Sequence, residues 1–283
     1  MGCVSLSSVS LPEVTSLGSY AFMYCFSLTS IDLPKVESIG ISAFMMCSKL
    51  ESVSFSAASY IGELAFAGCS SLTTVNLPVA EVISRSAFAG CMALSSISLP
   101  AAKSIGNDAF AGLTVSLTTV DLPEATHIAS GAFNGCTALT SLSMPAVQYV
   151  GQNAFGGVIH LPALDLPVAI SIGSSAFAGC NALSSLNLPS AQFIGWNAFG
   201  GCTSLTTVSL PALAEIHSGA FAGGPIVSVY LYGSSVPFAG ALISSIFTSP
   251  SVSFFVPESL YASYISAHLW SGVSSRIVSV SAN

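Results

Sequence analysis

The sequence predicts a leucine-rich repeat solenoid: a right-handed superhelix of about ten 22-residue repeats with a parallel concave β-sheet, plus a mixed α/β C-terminal cap. Three observations predict it. An Ala-Phe pair returns along the chain, with its ring at Phe22, Phe44, Phe66, Phe88, Phe110, Phe133, Phe155, Phe177, Phe199 and Phe221. Successive steps are 22 residues, except the 23 from Phe110 to Phe133. Each unit also carries Leu-x-x-(Ile/Val)-x-Leu, and a fixed period in the twenties with that core marks this repeat class.

Each unit has three parts. The first, such as Leu28-Thr29-Ser30-Ile31-Asp32-Leu33, ends in apolar/polar alternation and reads as a short strand with one buried face. Proline follows at Pro12, Pro34, Pro78, Pro100, Pro123, Pro145, Pro167, Pro189 and Pro211, with Ser56 in its place once. Lacking a ladder donor, proline stops the strand and turns the chain. The second part is a short extended run ending in Ile-Gly, as at Ile39-Gly40 and Ile194-Gly195. The third is an Ala-Phe-x-x-Cys corner whose ring supplies most of the bulk between turns. Stacked units place like strands side by side at ~4.8 Å, in a continuous parallel sheet about 50 Å long. The extra residue near Leu113-Thr114-Val115 predicts a local bulge.

The pattern decays after Phe221. Ile226–Leu231 is still a repeat strand, but no Pro, Ile-Gly or Ala-Phe follows in register. A short helix is expected over Phe238–Phe247 and a strand over Val252–Val256. Pro257-Glu258 opens a helix, with Pro at its first position and an acid in its first turn. Its apolar positions Leu260, Tyr261, Tyr264, Ile265, His268 and Leu269 recur at helical spacing, and Arg276–Val280 closes as a strand. The chain is therefore expected to divide into a solenoid over 1–231 and a capping region over 232–283 that hides the last phenylalanine layer. At the other end, Gly2-Cys3-Val4-Ser5-Leu6 aligns with Gly68-Cys69-Ser70-Ser71-Leu72, so the chain opens in mid-repeat. Solenoid ends need capping elements. The expectation is that the N-terminal cap is missing and that earlier repeats and a signal peptide lie upstream.

The unit Leu-x-x-(Ile/Val)-x-Leu-Pro…Ile-Gly-x-x-Ala-Phe-x-x-Cys closely resembles the BspA-like class of leucine-rich repeats over nearly the whole chain. The tail Val256-Pro257-Glu258-Ser259-Leu260-Tyr261…Trp270…Ile277 is similar to the closing element of such chains. The resemblance implies a bacterial, occasionally protist, cell-surface or secreted protein with adhesion and protein binding as its usual roles. It implies no catalytic residues, because the family shares none.

Composition narrows the function classes. Apolar residues make up 52% of the chain and charged ones 6%. Ser, Thr, Gly or Pro interrupts the apolar residues every few positions, so no run approaches the ~18–20 residues of a spanning helix. Twelve acids against five bases give a net charge of −7 with no basic cluster, which leaves counterion-release binding to nucleic acid nothing to work with.

The eight cysteines fall in one column with Leu113 and Val158. A single column cannot surround a tetrahedral ion, and the position asks for apolar volume, so these thiols read as buried, with no metal site and no cofactor. The residue after the strand's central Ile or Val forms a polar column that should line the concave face. Its Asp32, Asn76, Asp121, Asp165 and Asn187 are the candidate binding residues, beside a neighbouring column of Ser and Thr. Asp121 and Asp165 as a catalytic pair would stand two turns apart, roughly 10 Å, just beyond the ~6.5–9.5 Å of inverting glycosidases. Four scattered histidines read as isolated surface or cap residues, His217 standing in a glycine slot. Tyr149, Phe193 and Trp196 form a second candidate, an aromatic patch on the flank if the column before Ile or Val faces solvent. The resulting expectation is a non-enzymatic adhesion module for a protein partner, of host or matrix origin. A carbohydrate-binding solenoid and a structural spacer in a longer surface or fibre protein are the alternatives.

Overall fold

The computed structural model describes residues 3–239 and 243–281. Met1, Gly2, Gly240, Ala241, Leu242, Ala282 and Asn283 lie outside the described residues, and with them the Gly2 start of the repeat alignment, part of the 238–247 expectation and the end of the 232–283 region. The chain divides into two compact units, Met1–Pro145 and Ala146–Asn283. Each is a parallel β-solenoid.

In the first unit every turn contributes one three-residue and one two-residue strand. The former run from Ser8–Ser10 and Ser30–Asp32 to Thr119–Asp121 and Ser141–Ser143. Their central residues, such as Ile31, Val53 and Val120, point inward while both flanking residues stay exposed. The two-residue strands, from Ser16–Leu17 to His127–Ile128, turn the second residue inward. Register follows the repeat, with Val9 opposite Ile31 and Ile39 opposite Ile61.

The sequence leads one to expect one continuous sheet of the longer strands. Here they pair in short groups instead: Ser8–Ser10 with Ser30–Asp32, Ser52–Ser54 with Thr74–Asn76, and Ser96–Ser98 with Thr119–Asp121 and Ser141–Ser143. The uninterrupted ladder within the unit is that of the two-residue strands. The bulge expected near Leu113 is a turn carrying Val115, which is 80% exposed, and it leaves the next strand in register with Ser96 opposite Thr119.

The core is a column of stacked rings. Phe44, Phe66, Phe88, Phe110 and Phe133 are fully buried, with neighbouring centroids 5.1–5.2 Å apart and planes within 9°. At that separation near-parallel rings are offset, the arrangement their quadrupoles favour. Beside each ring the chain passes through left-handed backbone twice. The second of these positions is Gly68, Gly90, Gly112 and Gly135 in later turns, where a side chain would cost about 1–2 kcal/mol, but Tyr24 and Met46 in the first two.

The second unit repeats the scheme. Phe155, Phe177, Phe199 and Phe221 stack at 5.1–5.4 Å, and Phe247 adds one more layer at 5.2 Å. The longer strands continue through Ser228–Tyr230 into Ser253–Pro257 and Ile277–Val280, all parallel. Phe254 packs edge-on against Phe247 and Trp270 and so closes the ring stack.

Two details of the C-terminal region differ from the sequence reading. Phe238–Ala239 is a strand paired with Glu215–Ile216, and among the described residues of that stretch the helix is Ile243–Ile246. The helix expected from Pro257 is a 3-10 turn at Glu258–Leu260 followed by Tyr261–Ser266. It ends because Ala267 is extended, with φ −69° and ψ 126°, and a 3-10 segment His268–Arg276 follows. Of the six apolar positions read as one face, Tyr264 is buried, while Ile265 and His268 are exposed. Trp270 and Val273 supply the remaining buried contacts.

Candidate functional site

The longer strands expose two side chains per turn, and the polar column is the second of them. In the first unit Asp32, Asn76 and Asp121 are all exposed. They are not isolated. Ser10 Oγ donates to Asp32 Oδ2 at 3.2 Å, Asn76 Nδ2 donates to Ser54 Oγ at 2.9 Å, and Ser98 Oγ lies 3.5 Å from Asp121 Oδ2. In the second unit the exposed Asn187 donates to Asp165 Oδ1 at 2.7 Å. Each bond joins adjacent turns within one paired strand group. Immediately before these strands, Thr29, Thr73, Thr118 and Ser184 donate hydroxyls to backbone carbonyls of the preceding turn. The result is a surface of hydroxyl, amide and carboxylate groups held at strand spacing with their side chains partly ordered, suited to recognising polar groups on a partner.

The flank column before Ile or Val does face solvent. Tyr60 and Tyr149 are 43% and 42% exposed. Trp196 is 53% exposed and Phe193 half-buried. Tyr149 and Phe193 are separated in the ladder by Ser171. The structure brings Phe193 and Trp196 together around a residue the sequence reading left aside: their ring centroids lie 5.2 and 4.1 Å from that of His217.

His217 is therefore no isolated surface histidine. It is 9% exposed, and its Nε2 lies 2.8 Å from Glu215 Oε1. Its position corresponds to the glycine of Ile-Gly, next to the preceding turn, where a side chain is covered by its neighbours. Nε2 is thus the ring nitrogen turned to the Glu215 carboxylate, while Nδ1 is buried with no hydrogen-bond partner among the described residues. The departure from Ile-Gly at Ile216-His217 was the available sequence signal. His127 and His160 are exposed, and His127 Nδ1 is 2.8 Å from Thr126 Oγ1.

The cysteines are buried from Cys25 to Cys202, while Cys3 is exposed. Their column is more than apolar filling, because each thiol from Cys47 onward donates to the carbonyl of a phenylalanine in the preceding turn: Cys47 to Phe22, Cys69 to Phe44, Cys91 to Phe66, Cys136 to Phe110, Cys180 to Phe155 and Cys202 to Phe177, at 3.1–3.6 Å. Burial pushes the Cys47, Cys91, Cys136 and Cys202 thiols up to about 12, so they stay protonated at neutral pH. Among the described residues no group of three or more His, Cys, Asp or Glu side chains is placed to hold a metal ion, and no helix is long and apolar enough to cross a membrane. A shallow groove lined by Thr203, Gly223, Gly224, Pro225, Thr248 and Ser249 carries no titratable side chain.

Comparison with known proteins follows the same line. The family model for the BspA type leucine-rich repeat region matches residues 1–114, 60–167 and 126–240. No curated protein matches the chain. Among solved structures, a leucine-rich cell surface protein of Faecalibacterium prausnitzii A2-165 is 21% identical with a TM-score of 0.51, over 89% of this chain and 87% of its own. That likeness shows the fold. A leucine-rich repeat protein of Bacteroides ovatus ATCC 8483 is 21% identical, TM-score 0.45, over 97% and 92% of the two chains. A leucine-rich repeat protein of T. pallidum is 25% identical, TM-score 0.41, over 70% and 77%.

Proposed function

Because the chain belongs to the BspA-type leucine-rich repeat family, we propose that it is a non-enzymatic protein-binding module of a cell-surface or secreted bacterial protein, attaching it to a host or matrix protein. The observation that carries this reading is the exposed polar column of each unit. Asp32, Asn76, Asp121, Asp165 and Asn187 stand outward on register-locked strands, and each hydrogen-bonds to a Ser, Asn or Asp of the adjacent turn. Ordering before binding lowers the entropy lost on association. Their carboxylates meet hydroxyl and amide partners, an arrangement for recognition and not for proton transfer. The F. prausnitzii protein of like fold is described as a cell surface protein, which supports an extracellular location.

The test sets a panel of immobilised extracellular-matrix proteins against a glycan array. This reading expects saturable binding to a protein and none to the array. Glycan binding alone would make the chain a carbohydrate-binding solenoid, for which the exposed Trp196 is the favouring observation. Binding to neither would leave the spacer role and overturn the proposal.

A further inference from the structure

On the flank of the second unit one carboxylate stands among aromatic rings. The two-residue strands place Phe193 opposite Glu215 and Glu215 opposite Phe238, in consecutive turns. At a strand spacing of ~4.8 Å, the carboxylate side chain emerges between two phenylalanines. Phe238 is 62% exposed and Trp196 53%, so both present large apolar surface to solvent. Trp196 and Phe193 flank His217, which holds Glu215 Oε1 at 2.8 Å. Glu215 Oε2 accepts no hydrogen bond from the described residues.

This environment is unlike that of the chain's other paired acids. Glu13 and Glu81 lie against Lys35 and Lys103 one turn on. Between Ala146 and Asn283 the sole Lys or Arg is Arg276, and it donates to the carbonyls of Ser249 and Pro250. The rings around Glu215 displace part of its hydration and offer π faces, while no Lys or Arg side chain of this unit pairs with it. A guanidinium meets both demands. It is planar and weakly hydrated, stacks on aromatic faces, and donates to a carboxylate in a fixed fork.

We propose that Phe193, Trp196, Glu215 and Phe238 form a receptor site for an arginine side chain presented by a partner polypeptide. The net charge of −7 favours a basic partner, and Trp and Arg are both enriched at binding hot spots. The site rests on the reading that the chain binds protein. It uses the flank and not the polar columns, so its failure would leave a contact through those columns standing.

Trp196 makes the test direct, because the other tryptophan, Trp270, is buried. The intact chain is titrated with a short Gly/Ser peptide carrying one central arginine, and with its lysine and citrulline counterparts, following tryptophan emission. The expected result is saturable quenching by the arginine peptide. Affinity falls about tenfold with lysine and quenching vanishes with citrulline. Glu215→Gln and Phe238→Ala, both at surface positions, each weaken the arginine response about tenfold or more at unchanged melting temperature. No saturable quenching with the arginine peptide, an equal response to lysine, or an undiminished response in Glu215→Gln would each overturn the assignment.

Discussion

The thiol of Cys69 donates to the carbonyl oxygen of Phe44 across 3.2 Å, joining the cysteine column of one turn to the phenylalanine corner of the turn before. The same bond recurs from Cys91 to Phe66 and from Cys202 to Phe177. It explains why the position takes cysteine in most turns and yet accepts Leu113 and Val158, both fully buried. Volume is required, and the weak donor is an addition to it.

Buried protonated thiols make stability depend on alkaline pH. A folded pKa of about 12 against an ordinary 9.0 means that the native state keeps protons the unfolded chain gives up. The stabilisation is complete below pH 9 and is lost as pH rises from 9 towards 12. Each pH unit in that window costs on the order of 1 kcal/mol per thiol. Urea unfolding at a series of pH values should show the decline, and Cys91→Val should make it shallower while changing stability at neutral pH by less than about 1.5 kcal/mol.

Alkylation reports the same burial chemically. Iodoacetamide at about pH 8 should label Cys3 and spare the seven buried cysteines, with all eight reacting once the chain is unfolded. Mass spectrometry counts the adducts. Rapid native labelling of Cys69 or Cys136 would show that the turns open.

Much of this was legible in the sequence. A period of 22 stacks like residues on like, so the phenylalanine and cysteine columns followed from spacing alone. The polar column followed as well, because strand alternation fixes which side faces out. His217 did not, since its partners Phe193 and Trp196 belong to the preceding turn and only the lost glycine of Ile216-His217 marked the place. The C-terminal helix was overread because the helical spacing of Leu260–Leu269 carries no sign that Ala267 is extended.

The ring column should carry much of the stability. Phe88 stacks at 5.1 Å on Phe66 and 5.2 Å on Phe110 with no exposed surface. Phe88→Ala leaves a cavity between turns and should cost about 3–5 kcal/mol in chemical denaturation.

Glycines in one slot should differ in tolerance. A Cβ on Gly62 would sit 2.7 Å from the backbone of Gly40, whereas one on Gly18 meets nothing within 4 Å. Gly62→Ala should lower stability by about 1–3 kcal/mol. Gly18→Ala should be neutral or stabilising by up to about 1 kcal/mol. Thermal unfolding of the two variants side by side separates a packing requirement from mere repeat regularity.

Exposed members of the polar column should matter little to folding. Asp121→Ser removes a carboxylate whose one side-chain contact in the ladder is Ser98 Oγ at 3.5 Å, so unfolding free energy should move by no more than about 0.5 kcal/mol. That tolerance allows binding to be tested without loss of the fold.

The central claim is that the outward polar columns bind protein. Surface plasmon resonance of the wild-type chain, and of the variant with Asp32, Asn76, Asp121, Asp165 and Asn187 all changed to Ala, against the matrix-protein panel tests it most directly. The account predicts saturable wild-type binding and an affinity at least about tenfold lower in the variant at an unchanged melting temperature. Equal affinity in the two proteins, or no wild-type binding to any member of the panel, would contradict it.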